Sequence, residues 1–246
     1  MKLIILSCII IFFSIYAKAR SIGETEITAQ DGIEVFQDEK YYLLKENVKI
    51  KSDNFNLFAD NIKIYFEKDL YDIVIIEAFT NVKLVSNENN INALGNELTY
   101  SVKNEKIIVK GIDSELITEN VEMYSDGSIM VNNLDGDFYL KGKNSKLISE
   151  SITILGEEIV GEFSPNTATK EIQILNVYDK KQAYIESDTT EMFAKKINYN
   201  HNTSIIELED SVKIISDGEI ITGDYGTLDR KTNSYKIKSK NSNKVK

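Results

Sequence analysis

The chain has 246 residues, with 39 acidic against 29 basic side chains for a formal charge of -10, and 42% hydrophobic content. That is enough apolar material for a large core, and the acidic balance removes the clustered cations on which nucleic-acid binding depends. One His, one Cys and no Trp leave little for imidazole, thiolate or His/Cys metal chemistry, which sets most enzyme classes aside.

The first predicted element is a secretory signal. Lys2 precedes an apolar run from Leu3 to Tyr16, followed by Ala17-Lys18-Ala19. A basic start, a short apolar stretch and small residues at alternate positions predict a signal peptide over 1–19 cleaved after Ala19. The run falls short of the roughly 20 residues that a spanning helix needs. Cys8 lies inside it, so the mature chain would be held together by burial and backbone pairing, without disulfides.

From Ile27 onward the apolar residues alternate with period two, the signature of strands with one buried face. The alternation predicts inward positions at Val48 and Ile50, at Ile62, Ile64 and Phe66, at Val82 and Leu84, at Leu98 and Tyr100, and at Ile107 and Val109. It continues at Phe138 and Leu140, Ile152 and Ile154, Ile172 and Ile174, Ile197 and Tyr199, and Val212 and Ile214. Turn residues separate these runs: Asp31-Gly32, Asn89-Asn90, Asp126-Gly127, Asp135-Gly136, Ser164-Pro165-Asn166 and Asp217-Gly218. No stretch of the mature chain carries helical periodicity. The reading is an all-β chain of about 18 to 20 short strands.

The strands repeat. Asn47-Val48-Lys49-Ile50 returns as Asn81-Val82-Lys83-Leu84, and Asn176-Val177 returns as Ser211-Val212-Lys213-Ile214. Between them recurs a small residue followed by a strand, as in Ala59-Asp60-Asn61-Ile62, Ala93-Leu94-Gly95-Asn96, Ala194-Lys195-Lys196-Ile197 and Gly223-Asp224-Tyr225. A period near 35 residues built only of strands means stacked units that cover one another's apolar faces. The expected architecture is an elongated β-jelly roll, a taco-shaped sandwich of two facing sheets. With no linker-like stretch, one domain is expected over 20–238, followed by a Lys-rich tail over 239–246 that reads as a solvated end.

Asp60-Asn61-Ile62-Lys63-Ile64-Tyr65, then Ile75-Ile76-Glu77-Ala78-Phe79-Thr80-Asn81-Val82-Lys83-Leu84, then Ile91-Asn92-Ala93-Leu94-Gly95-Asn96-Glu97-Leu98-Thr99-Tyr100 together resemble the OstA-like family. That family takes in the lipopolysaccharide-transport protein LptA, the LptC ectodomain and the N-terminal region of LptD. The resemblance implies a periplasmic segment of a bridge that carries lipopolysaccharide from inner to outer membrane. The short apolar run and Ala17-Lys18-Ala19 favour the soluble, LptA-like form over a membrane-anchored LptC-like one, and the chain does not run on into an LptD-like barrel. Partners implied are lipopolysaccharide and LptC-like and LptD-like proteins, joined through edge strands near Ile27 to Phe36 and near Leu208 to Ile237, with head-to-tail self-association as a further option. No cofactor, metal or catalytic residue is implied.

A lipid carrier must replace the burial of acyl chains, worth about 0.8 kcal/mol per methylene, so a chain of a dozen carbons needs roughly 10 kcal/mol of apolar lining. The inward residues named above are the candidate lining, with the exception of Tyr199. The same residues would also make an ordinary packed core, and patterning does not separate the two. At about 4.8 Å per strand, two sheets of nine or ten strands give a protomer some 45 Å long. Two further classes stand beside the carrier: a β-solenoid interaction module without lipid, and a polysaccharide-acting enzyme using Glu207 and Glu209. Those two glutamates lie about 7 Å apart, as any i, i+2 pair on a strand does, and fit a solvated face better. His201, in Asn200-His201-Asn202-Thr203, and Asp135-Gly136-Asp137 read as turns rather than as metal or calcium sites.

Overall fold

Alternating apolar residues become strands throughout. The computed structural model describes residues 25–86, 90–149, 152–164, 171–187, 189–232 and 234–239. The expected signal peptide over 1–19 and all but Ser239 of the tail lie outside them. Among the described residues there are seventeen strands and no helix. The first ten are β1 (Glu26–Thr28), β2 (Ile33–Phe36), β3 (Tyr41–Lys51), β4 (Phe55–Phe66), β5 (Ile73–Ser86), β6 (Ile91–Ser101), β7 (Lys106–Lys110), β8 (Ser114–Ile117), β9 (Val121–Ser125) and β10 (Ser128–Asn132). The remainder are β11 (Asp137–Ser149), β12 (Ile152–Phe163), β13 (Ile172–Ser187), β14 (Thr190–Asn200), β15 (Ile205–Ser216), β16 (Glu219–Asp229) and β17 (Ser234–Lys238).

Two facing sheets were expected and are present as two layers, which hydrogen bonding joins into one seventeen-stranded sheet folded over on itself. The fold line is a row of β-bulges, one near the middle of each long strand, for example between Lys45 and Val48, Phe58 and Asn61, Phe79 and Val82, Phe193 and Lys196, and Glu209 and Val212. A bulge bends a strand and breaks its ladder locally, so each long strand contributes one half to each of two facing layers. The first layer runs β2, β3, β4, β5, β6, β7, β10 and then β11 through β17. In the second, β1 starts the row, β8 and β9 replace β7 and β10, and β16 ends it. Because strands are shared, the first layer counts more strands than expected. It is about 60 Å long at roughly 4.8 Å per strand, rather than 45 Å.

Bulge geometry explains the sequence repeat. Glu46 and Asn47 (φ 60° and 48°), Thr80 and Asn81 (63° and 55°), and Asp210 and Ser211 (60° and 58°) are consecutive left-handed residues that turn β3, β5 and β15 sharply. The Val that follows each corner lies opposite a small residue on the next strand: Val48 opposite Ala59, Val82 opposite Gly95, Val212 opposite Gly223. A Cβ on Gly95 would stand 2.6 Å from Val109 Cγ1, so the small residue is required by close approach at the corner. One repeat is therefore one out-and-back pair of strands with its two corners. Asn176-Val177 does not fit this motif. The corner of β13 lies further on, between Tyr178 and Ala183, where Asp179 Oδ1 accepts the N–H groups of Lys181 and Gln182 at 2.7 and 2.9 Å. Side chains along the fold line also bond one corner to the one before it: Asn47 to Gln30 (2.8 Å), Asn81 to Asp60 (3.0 Å) and Asn144 to Asp126 (3.3 Å).

Inward residues of both layers form one continuous buried cluster from Tyr42 to Leu228, so the layers face each other as a taco-shaped jelly roll. At the first end, Ile33 and Val35 of β2 lie opposite Leu44 and Tyr42 on the inner face, yet are 52% and 47% exposed because no described strand pairs beyond them. At the far end the edge is narrower than expected. Leu208 is fully buried between β14 and β16, and the outer row consists of β17 in the first layer and the Glu219–Gly223 half of β16 in the second.

Candidate functional site: an apolar cleft in the first half

Away from the fold line the two layers end in rows of turns that face each other across a mouth. Between β3 and β8 the mouth opens into a cavity of about 590 Å³. Ile76, Leu98, Tyr100 and Ile107 line it from the first layer; Phe55, Leu57, Leu84 and Ile91 line it from the second. Thr25, Ser52, Asp53, Asn54, Ser86, Glu105 and Asn133 form a polar rim. An apolar interior with polar groups confined to the entrance, within the size range of about 300–1,000 Å³ of ordinary ligand sites, suits a hydrophobic guest with a wet end.

The rim is fastened. Ser52 Oγ accepts the Phe55 N–H at 3.0 Å and donates to the Phe55 carbonyl at 3.1 Å, which tightens the β3–β4 turn. Asn133 Nδ2 donates to Glu105 Oε2 at 3.0 Å, and the Asn133 N–H to the Glu105 carbonyl at 3.1 Å, which locks two first-layer turns together. Tyr42 stacks on Phe66 with ring centroids 6.2 Å apart, and burial pushes its phenol above the usual tyrosine pKa, so it stays neutral and apolar in character.

Of the residues expected on the interior face, Leu84, Leu98, Tyr100 and Ile107 line this cavity. Val48, Ile50, Ile62, Ile64, Phe66, Val82, Val109, Phe138, Leu140, Ile154, Ile172, Ile197, Val212 and Ile214 are buried in the core, and Ile152 packs partly buried against it. Ile174 is a correction. A register shift between Glu162 and Phe163 places Ile172 opposite Phe163 and Ile174 opposite Glu162. The inner face of β13 passes from Ile172 to Leu175 and Val177, and Ile174 is left 39% exposed on the outside. Phe55, Leu57, Ile76 and Ile91 were missed. Phe55 and Leu57 do alternate, but Ile76 ends the run Ile73-Val74-Ile75-Ile76, where four apolar residues in a row give no phase.

In the second half of the chain the described interior side chains pack against one another. Phe138 and Phe163 pack with ring centroids 4.3 Å apart and planes tilted by 31°, and Ile154, Ile159, Ile197, Leu208 and Ile214 are fully buried. The polar residues considered as catalytic lie elsewhere. Glu207 and Glu209 are on the outer face, where Glu209 pairs with Lys196 at 3.8 Å. His201 sits in the β14–β15 turn, with Nδ1 3.3 Å from Glu171 Oε1 and 3.4 Å from Tyr199 Oη. Gly136 holds Asp135-Gly136-Asp137 in a tight turn at φ 87°.

Comparison with known proteins adds two findings. Residues 26–134 match the family model described as LptA/(LptD N-terminal domain) LPS transport protein, which supports the OstA-like resemblance over those residues. The crystal structure of LptH from Pseudomonas aeruginosa, described as the LptA homologous periplasmic component of the lipopolysaccharide transport device, is similar at 15% identity and a TM-score of 0.40. That match covers 51% of this chain and 89% of LptH. No curated protein matches the chain.

Proposed function

We propose that this chain is a periplasmic, LptA-like carrier that takes the acyl chains of lipopolysaccharide into the cleft between β3 and β8, as part of the bridge between the two membranes. The supporting observation is a coincidence of position. Every residue lining the cavity except Thr25 lies within 26–134, the segment that matches the lipopolysaccharide-transport family model. Physically, the cleft replaces the apolar contact that an acyl chain loses on leaving a bilayer, about 0.8 kcal/mol per methylene, while the polar rim leaves a headgroup in water. No bond is made or broken, so direction comes from an energy source elsewhere.

In the same reading, the exposed inward residues Ile33 and Val35 at one end and the half-paired β16 at the other are the edges through which LptC-like and LptD-like partners, or a second copy, continue the sheet. The test is binding of purified lipopolysaccharide to the Leu98→Asp variant. Leu98 lies on the cavity wall, and a carboxylate there places an unpaired charge against the guest. Binding should fall at least tenfold, while Lys83→Asp, on the outer face of β5, binds as the parent does. Equal binding by all three proteins would count against the cleft.

A further inference from the structure

The polar rim of the cavity carries one sign of charge. Asp53 from the second layer and Glu105 from the first line it beside hydroxyls and amides, and no Lys, Arg or His is among the lining residues. The turns around this mouth share the bias. Those at 52–54, 67–72, 102–105, 118–120 and 133–136 hold seven acidic residues against Lys68 and Lys103. Residues 87–89, which join β5 to β6 outside the described residues, add Glu88 and no base. Further along the first-layer lip, the turns at 201–204 and 230–232 carry Arg230 and Lys231 and no acid, so turns of this sheet are not acidic in general. At the cavity itself the charge is held in place: Asn133 Nδ2, a neutral donor, bonds Glu105 Oε2 at 3.0 Å, which orients the carboxylate without cancelling it. Among the described residues, no three His, Cys, Asp or Glu side chains converge as ligands for a metal ion that would offset it.

An acyl chain seated in the cleft leaves the first atoms of its headgroup at this rim. A phosphate monoester there carries about −1.5 to −2 charges near neutral pH. Apolar walls around a mouth of one sign focus the field, so Asp53 and Glu105 repel that phosphate more strongly than they would in open water. An uncharged sugar meets the same carboxylates as a hydroxyl donor, and a hydrogen bond to an ionised acceptor is among the stronger kinds. From this arrangement we propose that Asp53 and Glu105 select the guest by its headgroup: the cleft takes a glycolipid whose sugar next to the acyl chains carries no phosphate, and rejects the phosphorylated form. This selectivity rests on the acyl-carrying role proposed above and specifies the polar end that the mouth admits.

Two preparations of lipid A with identical acyl chains, one bisphosphorylated and one with its phosphates removed, would be titrated against the protein in EDTA at low salt. The phosphate-free form should bind at least about tenfold tighter, and the ratio should fall as added salt screens the rim. In the Asp53→Asn, Glu105→Gln double variant the two affinities should converge. Both changes keep the shape of the side chain, and glutamine still accepts the Asn133 bond, whereas damage to the fold would lower both affinities and leave their ratio. Equal binding of the two lipids by the parent protein, or an unchanged ratio in the variant, would overturn the selectivity and leave the acyl cleft standing. Tight binding of the phosphorylated form once Mg²⁺ replaces EDTA would also overturn it, in favour of a bridging cation. Binding of neither form would overturn the acyl-carrying role itself, and the selectivity with it.

Discussion

The two halves of the molecule use one plan to different ends. Ser211-Val212-Lys213-Ile214 in β15 repeats Asn81-Val82-Lys83-Leu84 in β5, with the same pair of left-handed residues at the corner and the same Val against a small partner. Yet Ile214 is fully buried, whereas Leu84 is 9% exposed and forms a wall of the cavity. Corners and pairing set the frame, and the side chains filling the mouth decide whether the frame holds a slot or a core. In the second half, the tilted rings of Phe138 and Phe163 pack against each other from neighbouring strands; in the first, Phe55 and Tyr100 stay partly exposed on opposite walls.

This contrast can be broken most directly by truncation. Leu208→Ala, in the filled half, should cost about 3–5 kcal/mol in urea unfolding, because full burial leaves a void that the surroundings cannot fill. Leu84→Ala should cost only about 1–2 kcal/mol, since that side chain already borders empty space. Equal costs would mean that the two halves are packed alike.

A somewhat smaller effect is expected at the corner. Gly95→Val forces a branched side chain toward Val109 and the Lys110 carbonyl, and overpacking there should cost about 1–3 kcal/mol. Gly218, at a turn with open space around it, gives the control Gly218→Asn, which keeps a residue tolerant of φ 81° and should change stability little.

Two tyrosines sharpen the comparison through pH. Tyr124 in the first half and Tyr184 in the second are both pushed up to about 12, the first chiefly by its hydrogen bond to Glu122, the second chiefly by burial. The raised values favour the neutral phenol in the folded state. Their contribution is full below the ordinary tyrosine pKa of about 10 and is lost as pH rises through about 12. Following phenolate absorbance, Glu122→Gln should bring Tyr124 down toward its ordinary value, while Glu186→Gln should move Tyr184 less. The smallest effect is expected at Thr80, a β-branched residue at φ 63°. Thr80→Asn should gain about 0.5–1 kcal/mol, because asparagine tolerates the left-handed region better.

Much of the frame was legible in the sequence. Period-two alternation located the strands, and the recurrence of Asn-Val-Lys and of a small residue before a strand gave the stacking period, while their place at the corners emerged only from the left-handed residues and bulges of the fold. Three features were not legible. Bulges insert residues without a fixed signal, so alternation carried past one misassigns the face, as it did at Ile174. A strand bent through both layers reads in sequence as one strand, so dividing the strands between two sheets made the expected length short. Whether inward aliphatics close on one another or leave a cleft depends on distances across the sandwich, which one-dimensional pattern does not encode; Leu84 and Ile214 occupy equivalent places in the repeat and differ only there.

Those two positions supply the decisive measurement. A photo-crosslinking residue would be placed at Leu84 in one protein and at Ile214 in another, and each irradiated with lipopolysaccharide. An open cleft in the first half against a filled core in the second should give a lipid adduct at position 84 and none at position 214. Adducts at both in equal yield, or at neither, would contradict it.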